Sequence, residues 1–189
     1  MAKEIADLLR KCTMVQMVDV RDNFIGCIGC MEIAKAISHH NSIHTINLAG
    51  NKIADLGAAV VSSMLLTNTS LTHLNLNGNK LEKQAMQGIG GGLRGNTTLH
   101  TLLLDDNFFG DEGAVELGWA LSYNHSLHTL SIRGNVNVPV PFACTATFTL
   151  YSLVSLWAQQ KCKLRFFLEM MLKRREVSLQ PAPAFAGGG

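Results

Sequence analysis

Asn23, Asn51, Asn79, Asn107 and Asn135 stand 28 residues apart at every step, with no insertion between them. Val15, Ile43, Leu71, Leu99 and Leu127 keep the same step. A chain that returns to the same residue types at a fixed period of this size reuses one supersecondary unit in a stacked array. The pattern inside a unit has two halves. Leu102 and Leu104 alternate with Leu103 and Asp105, which is the period of a strand. Leu102 and Leu104 should therefore face the core, and Thr101, Leu103 and Asp105 the opposite side. Ala114, Leu117 and Leu121 then recur at helical spacing. Gly110 and Asp111 read as the intervening loop, with Asp111 a candidate N-cap. Each unit is thus a strand, a turn and a returning helix. It cannot bury its apolar face alone, so stacking is obligatory. Parallel strands sit about 4.8 Å apart, whereas packed helices need about 8–10 Å. That mismatch bends the stack, sheet inward. Five strands make a short arc of roughly 19 Å.

The units open with L-x-x-L-x-L-x-x-N, as in Leu71, Leu74, Leu76, Asn79 and again Leu99, Leu102, Leu104, Asn107. This resembles the leucine-rich repeat family. The period, with G-x-x-x-L-x-x-x-L in the second half (Gly113, Leu117, Leu121), is similar to the ribonuclease-inhibitor-like subclass. The resemblance runs from about residue 3 to Asn135. It implies an α/β fold: a right-handed leucine-rich-repeat solenoid forming a short horseshoe arc, with a parallel concave sheet and convex helices. It also implies a non-enzymatic protein-interaction module or scaffold, with a protein partner of unknown identity on the concave face and no cofactor. The 28-residue repeats also resemble those of activators of the small GTPase Ran, though a basic tail stands here where those carry an acidic region. A sensing-repeat fragment of an intracellular nucleotide-binding immune receptor is a further alternative.

The concave columns follow from the register: Met17, Thr45, His73, Thr101 and Thr129; then Asp19, Asn47, Asn75, Leu103 and Ser131; then Arg21, Ala49, Asn77, Asp105 and Arg133. Among these, Asp19, Arg21, Asn47, His73, Asn75, Asn77, Leu103, Asp105 and Arg133 are the candidate partner-binding residues. A stiff sheet that presents hydrogen-bonding groups loses little entropy on binding. The Asn column is structural, because an Asn amide at a strand exit can satisfy backbone groups of its own and adjacent turns. Trp119 shares a register position with Lys35, Ser63 and Gly91, which places it on the outer helical side.

Other constellations carry less. Cys27-Ile28-Gly29-Cys30 is a C-x-x-C, but Cys27 falls at the loop position of Asp111 and Cys30 at the small position of Ala58 and Ala114. A zinc site normally needs two such pairs, and Cys12, Cys144 and Cys162 supply none. His44, His100 and His128 share one column beside Thr72, and His73 lies one position over; no carboxylate joins them as a ligand would, so no metal site is assigned. His39, His40 and His125 lie near helix ends, where a cation suits the dipole. Gly88-Ile89-Gly90-Gly91-Gly92 resembles a phosphate cradle only superficially. It lies in a helix half and lacks a following Lys-Ser/Thr, so it reads as a loosened helix. No catalytic constellation is present in the sequence. Asn68, Asn96 and Asn124 each begin an N-x-S/T triplet at one register position, a turn signature of the repeat rather than a sign of secretion.

The chain divides unevenly. Residues 1–14 are the helix of a partial repeat, with Ile5, Leu9 and Val15 spaced like Leu117, Leu121 and Leu127; they serve either as a makeshift cap or as the start of a truncated longer protein. Residues 15–135 hold four 28-residue units and a terminal strand. Residues 136–180 form a hydrophobic and basic tail, with six basic residues against two acidic ones, and 181–189 a disordered end rich in Pro and Gly. The repeats hold ten basic and twelve acidic residues. Over the whole chain, 16 basic residues against 14 acidic ones offer no field for nucleic acid. Val138–Ala158 is apolar enough to suggest a membrane anchor, but Pro139 and Pro141 at its start and the strand-like alternation of Thr145–Leu150 weigh against it. The tail is read as an alternative end replacing further repeats, with an edge-covering strand as the rival. Five Cys and no leader-like apolar run at the start point to a reducing, cytoplasmic setting, with nuclear or axonemal scaffolds also compatible.

Overall fold

The computed structural model describes residues 1–135 and the strand Thr147–Thr149. The order is α1 (Ala2–Lys11), β1 (Met17–Asp19), α2 (Gly26–Ile37), β2 (Thr45–Asn47), α3 (Asp55–Thr67), β3 (His73–Asn75), α4 (Lys83–Gly95), β4 (Thr101–Leu103), α5 (Gly110–Leu121), β5 (Thr129–Ser131) and β6 (Thr147–Thr149). β1 to β5 lie side by side in parallel, and the register pairs Val18 with Ile46, Ile46 with Leu74, Leu74 with Leu102 and Leu102 with Leu130. Residues one period apart are therefore lateral neighbours.

Strand alternation sends Val18, Ile46, Leu74, Leu102 and Leu130 inward, and all five are buried. Leu48, Leu76 and Leu104, past the strand ends, join them. From the other layer come Ile33 and Ile37 of α2, Val61 and Leu65 of α3, Ile89 and Leu93 of α4, and Leu117 of α5. The result is one continuous core running the length of the stack.

Each strand exit turns sharply, and residues 22, 50, 78, 106 and 134 all have left-handed backbone there. Gly fills this position at Gly50, Gly78 and Gly134, where it is unstrained. Asp22 and Asp106 occupy it in the other two rungs.

Two local expectations change. α5 begins at Gly110, so Asp111 lies inside the first turn, and Phe109 precedes the helix without a side-chain cap. Likewise Cys27 lies in the first turn of α2 rather than in a loop. The sheet is also not wholly parallel. β6 adds to β5 antiparallel, pairing Thr129 with Thr149 and Ser131 with Thr147. Thr147–Thr149, within the alternating stretch, is thus a strand that lies along the open edge of the last repeat. The basic tail and the Pro-Gly end otherwise lie outside the described residues, as does the rest of the apolar stretch 138–158 weighed as a membrane anchor. Among the described residues no helix is long and apolar enough to cross a membrane.

Candidate protein-binding face

The concave face is built on a rigid frame of two Asn columns. Asn51 and Asn79 sit at successive strand exits, fully buried. The Asn79 Oδ1 accepts the backbone N–H of Asn51 at 3.1 Å and of Ile53 at 3.0 Å, both in the preceding rung. Its Nδ2 donates to the carbonyls of Leu48, Leu76 and Asn77 at 3.0, 2.9 and 3.2 Å. One amide therefore satisfies five backbone groups that burial would otherwise orphan. Asn51 and Asn107 repeat the arrangement. The ends of the column differ. Asn23 is exposed, and the buried Oδ1 of Asn135 is without a partner among the described residues.

A second column lies at the helix ends. The Nδ2 atoms of Asn68, Asn96 and Asn124 donate to Ile37, Leu65 and Leu93 carbonyls at 2.8, 2.7 and 2.7 Å. Their Oδ1 atoms accept the N–H of Leu71, Leu99 and Leu127 at 2.7, 2.7 and 2.8 Å. All three are buried, which gives the turn signature read from the N-x-S/T triplets its physical content.

Held between these columns, the concave side chains are largely engaged with the protein itself. The Oδ1 atoms of Asp19, Asn47 and Asn75 accept the N–H two residues on, from Arg21, Ala49 and Asn77, at 3.1, 3.1 and 2.9 Å. β4 carries Leu103 in that column and has no such acceptor. There Asn77 of the preceding rung takes over, accepting the Asp105 N–H at 2.7 Å. Asp105 in turn accepts the Arg133 N–H at 2.7 Å and the Ser131 hydroxyl at 2.6 Å. Asp19 also meets the Arg21 guanidinium at 3.5 Å and the Asn47 amide at 3.4 Å.

These bonds fix orientation. With Oδ1 of Asn75 and Asn77 turned to the backbone, each Nδ2 is left without an acceptor among the described residues. The hydroxyls of Thr45 and Thr101 are equally uncommitted there, and His73 is exposed and accepts or donates only to Thr72, at 2.8 Å. The centre of the face is thus a strip of preset donors, with Leu103 as its half-buried apolar member. The candidate residues do lie together as the columns imply, but Asn75, Asn77 and Asp105 also hold up the sheet.

The remaining constellations resolve structurally. His100 and His128 are neighbours, ring centroids 5.1 Å apart and edge to face. His44 bonds the Ser70 carbonyl at 2.9 Å. Among the described residues no three His, Cys, Asp or Glu side chains are placed to hold a metal. The glycine run in α4 is a packing device. A Cβ on Gly92 would lie 2.8 Å from the Ser62 carbonyl of α3, and one on Gly90 would lie 3.2 Å from Ala120 Cβ of α5. Trp119 is exposed on the outer side, with the Arg94 guanidinium 5.9 Å from its ring centroid. The sequence reading missed a second exposed apolar group at the strand-exit edge: Phe24, Ile28 and Leu56, with the Lys52 ammonium 4.4 Å from the Phe24 ring centroid. The available signal was that Ile28 and Leu56 share one register position.

The family model described as Leucine Rich repeat matches residues 39–62, 67–90 and 95–118. Among solved structures, one titled Leiomodin-1 Actin-Binding Site 2 is similar with a TM-score of 0.65 at 17% identity, covering 94% of this chain and 96% of the other. The tropomodulin C-terminal domain from Caenorhabditis elegans is similar with a TM-score of 0.62 at 16% identity, covering 74% of this chain and 84% of the other. No curated protein matches the sequence.

Proposed function

Because this chain is a leucine-rich-repeat solenoid, we propose that it is a non-enzymatic interaction module that grips a protein partner on its concave face. The observation that carries this reading is the donor strip. Amides of Asn75 and Asn77 are oriented by backbone N–H groups, so their free hydrogens point to the same places before and after a partner arrives. Such groups lose little freedom on binding. They suit the carbonyl and carboxylate oxygens of a protein surface, flanked by Arg21 and His73.

The first partner to try is actin, because the leiomodin-1 structure is named for an actin-binding site and has this fold. The face is tested with His73→Glu combined with Thr101→Arg, two side chains that hold no backbone group. Asn75 and Asp105 are poor choices, because replacing them would mix binding with stability. Photo-crosslinking through a probe at Thr45, in the same concave column, and cosedimentation with actin filaments are the two readouts. The double variant should keep the wild-type melting temperature and lose at least about tenfold in affinity. A variant that retains every crosslinked partner refutes the concave assignment. Absence of cosedimentation with persisting crosslinks removes actin alone.

A further inference from the structure

The two cysteines of α2 are not equivalent, and the register shows why. Cys27 occupies the first turn of α2 and is half exposed. Its Sγ accepts the backbone N–H of Ala54 at 3.3 Å. One period on, Asp55 fills the same slot, and its carboxylate accepts the N–H of Glu82 at 2.9 Å. Cys27 therefore sits where the next rung places an anion, facing a backbone donor at a helix N-terminus.

Cys30 lies one turn farther along and is buried. Its Sγ faces the Gly57 carbonyl at 3.9 Å. Both sulfurs thus point to the same stretch of the next rung, Ala54 to Gly57. Gly57 of α3 faces both without a side chain: the place its Cβ would take is 3.4 Å from Cys27 Cα and 3.6 Å from Cys30 Cβ. Helical geometry puts Cα atoms three residues apart at about 5 Å, inside the span of a disulfide. The Cβ atoms must close by a further ångström or so. A first turn can yield that, because its N–H groups hold no helical bonds.

We propose that Cys27 and Cys30 form a reversible dithiol–disulfide pair, with Cys27 the attacking sulfur and Cys30 the resolving one. The oxidant is a small disulfide of the glutathione class. The Cys27 thiol loses its proton to water, and its sulfur attacks one sulfur of the oxidant. The first glutathione leaves as thiolate, and Cys27 carries the second as a mixed disulfide. Cys30 then gives up its proton and attacks the Cys27 sulfur, the Cys27–glutathione bond breaks, and the second glutathione leaves. Two thiols have been oxidised and one disulfide reduced to two thiols. The second step is the slow one, since burial and the nearby Cys27 push the Cys30 thiol up to about 12. Closure also withdraws Cys27 from the Ala54 N–H, which loosens the joint between the first two rungs.

The test uses the full chain with Cys12, Cys144 and Cys162 replaced by Ser, equilibrated in oxidised and reduced glutathione. Trypsin releases Asp22–Lys35 with both cysteines on one peptide. That peptide should lose two hydrogens in mass, recover them with dithiothreitol, and show a glutathione adduct only at early times. Cys30→Ser should hold the adduct on Cys27 indefinitely, and hydrogen exchange at Ala54 should rise on oxidation of the unsubstituted pair. An adduct that persists with Cys30 present overturns the proposal. So does a peptide that stays fully reduced while Cys12, restored as a control, is oxidised.

Discussion

A buried Asn amide is worth as much as the number of backbone groups left stranded without it. Asn79 serves five, whereas Asn23 is exposed, with its Nδ2 bonded to Val20 and Arg21 carbonyls at 3.1 and 2.7 Å. Asn79→Ala should therefore destabilise by about 1–3 kcal/mol, and Asn23→Ala by less than about 1 kcal/mol. Urea midpoints for the two variants would show the gap, and equal shifts would mean that the column acts through something other than these bonds. Leu74→Ala and Leu102→Ala should each cost about 2–5 kcal/mol, because both side chains are fully enclosed and leave a cavity. These positions were legible in the sequence, since a fixed step of 28 residues turns every column into a statement about neighbours. The internal work of Asn77 and Asp105 was not. It arises because Leu103 breaks the acceptor column of β4, and which rung supplies the replacement is visible only once the sheet register is known. Cys27 and its register position were legible too, but what its sulfur faces was not: the slot has meaning only beside the Asp55 bond.

At the scale of the helix, the glycines of α4 divide by what they face. Gly92 is pressed against Ser62, whose hydroxyl also donates to the Gly88 carbonyl at 2.5 Å. Gly92→Ala should destabilise despite its gain in helix propensity. Gly91 meets nothing nearer than an Arg94 nitrogen at 3.9 Å, so Gly91→Ala should stabilise by about 0.5–1 kcal/mol. Thermal melts of the two variants should move in opposite directions. The sequence predicted a loosened helix here because propensity counts residues along one element and takes no account of what lies against it. Across the α4–α5 edge, Lys83 meets Glu112 at 2.7 Å. The hydrogen bond to Lys83 holds the Glu112 carboxyl below its ordinary range, and the same bond raises Lys83. The contribution from Glu112 is present above its unfolded pKa and fades as pH falls through the lowered folded one. Both groups are exposed to solvent and salt, so Glu112→Gln should leave the melting temperature at neutral pH unchanged within error.

For the whole molecule, rungs contact only their neighbours, so protection should follow position in the stack. Amide exchange is expected to be slowest in β3 and β4 and fastest in α1 and β1, which have a neighbour on one side only; uniform protection would mean that the array unfolds as one body. The overall arc was legible from strand and helix spacing, whereas the antiparallel β6 was not fixed by any column, because it lies beyond the last repeat.

The side-chain staples of both Asn columns share a direction. Asn51, Asn79 and Asn107 reach back to Val20, Leu48 and Leu76, and Asn68, Asn96 and Asn124 reach back to Ile37, Leu65 and Leu93. A nascent chain leaving the ribosome therefore always exposes its anchoring carbonyls before the amide that will clasp them. Every new coil of the spring can be locked onto one already wound, and synthesis never has to wait for a segment still inside the exit tunnel.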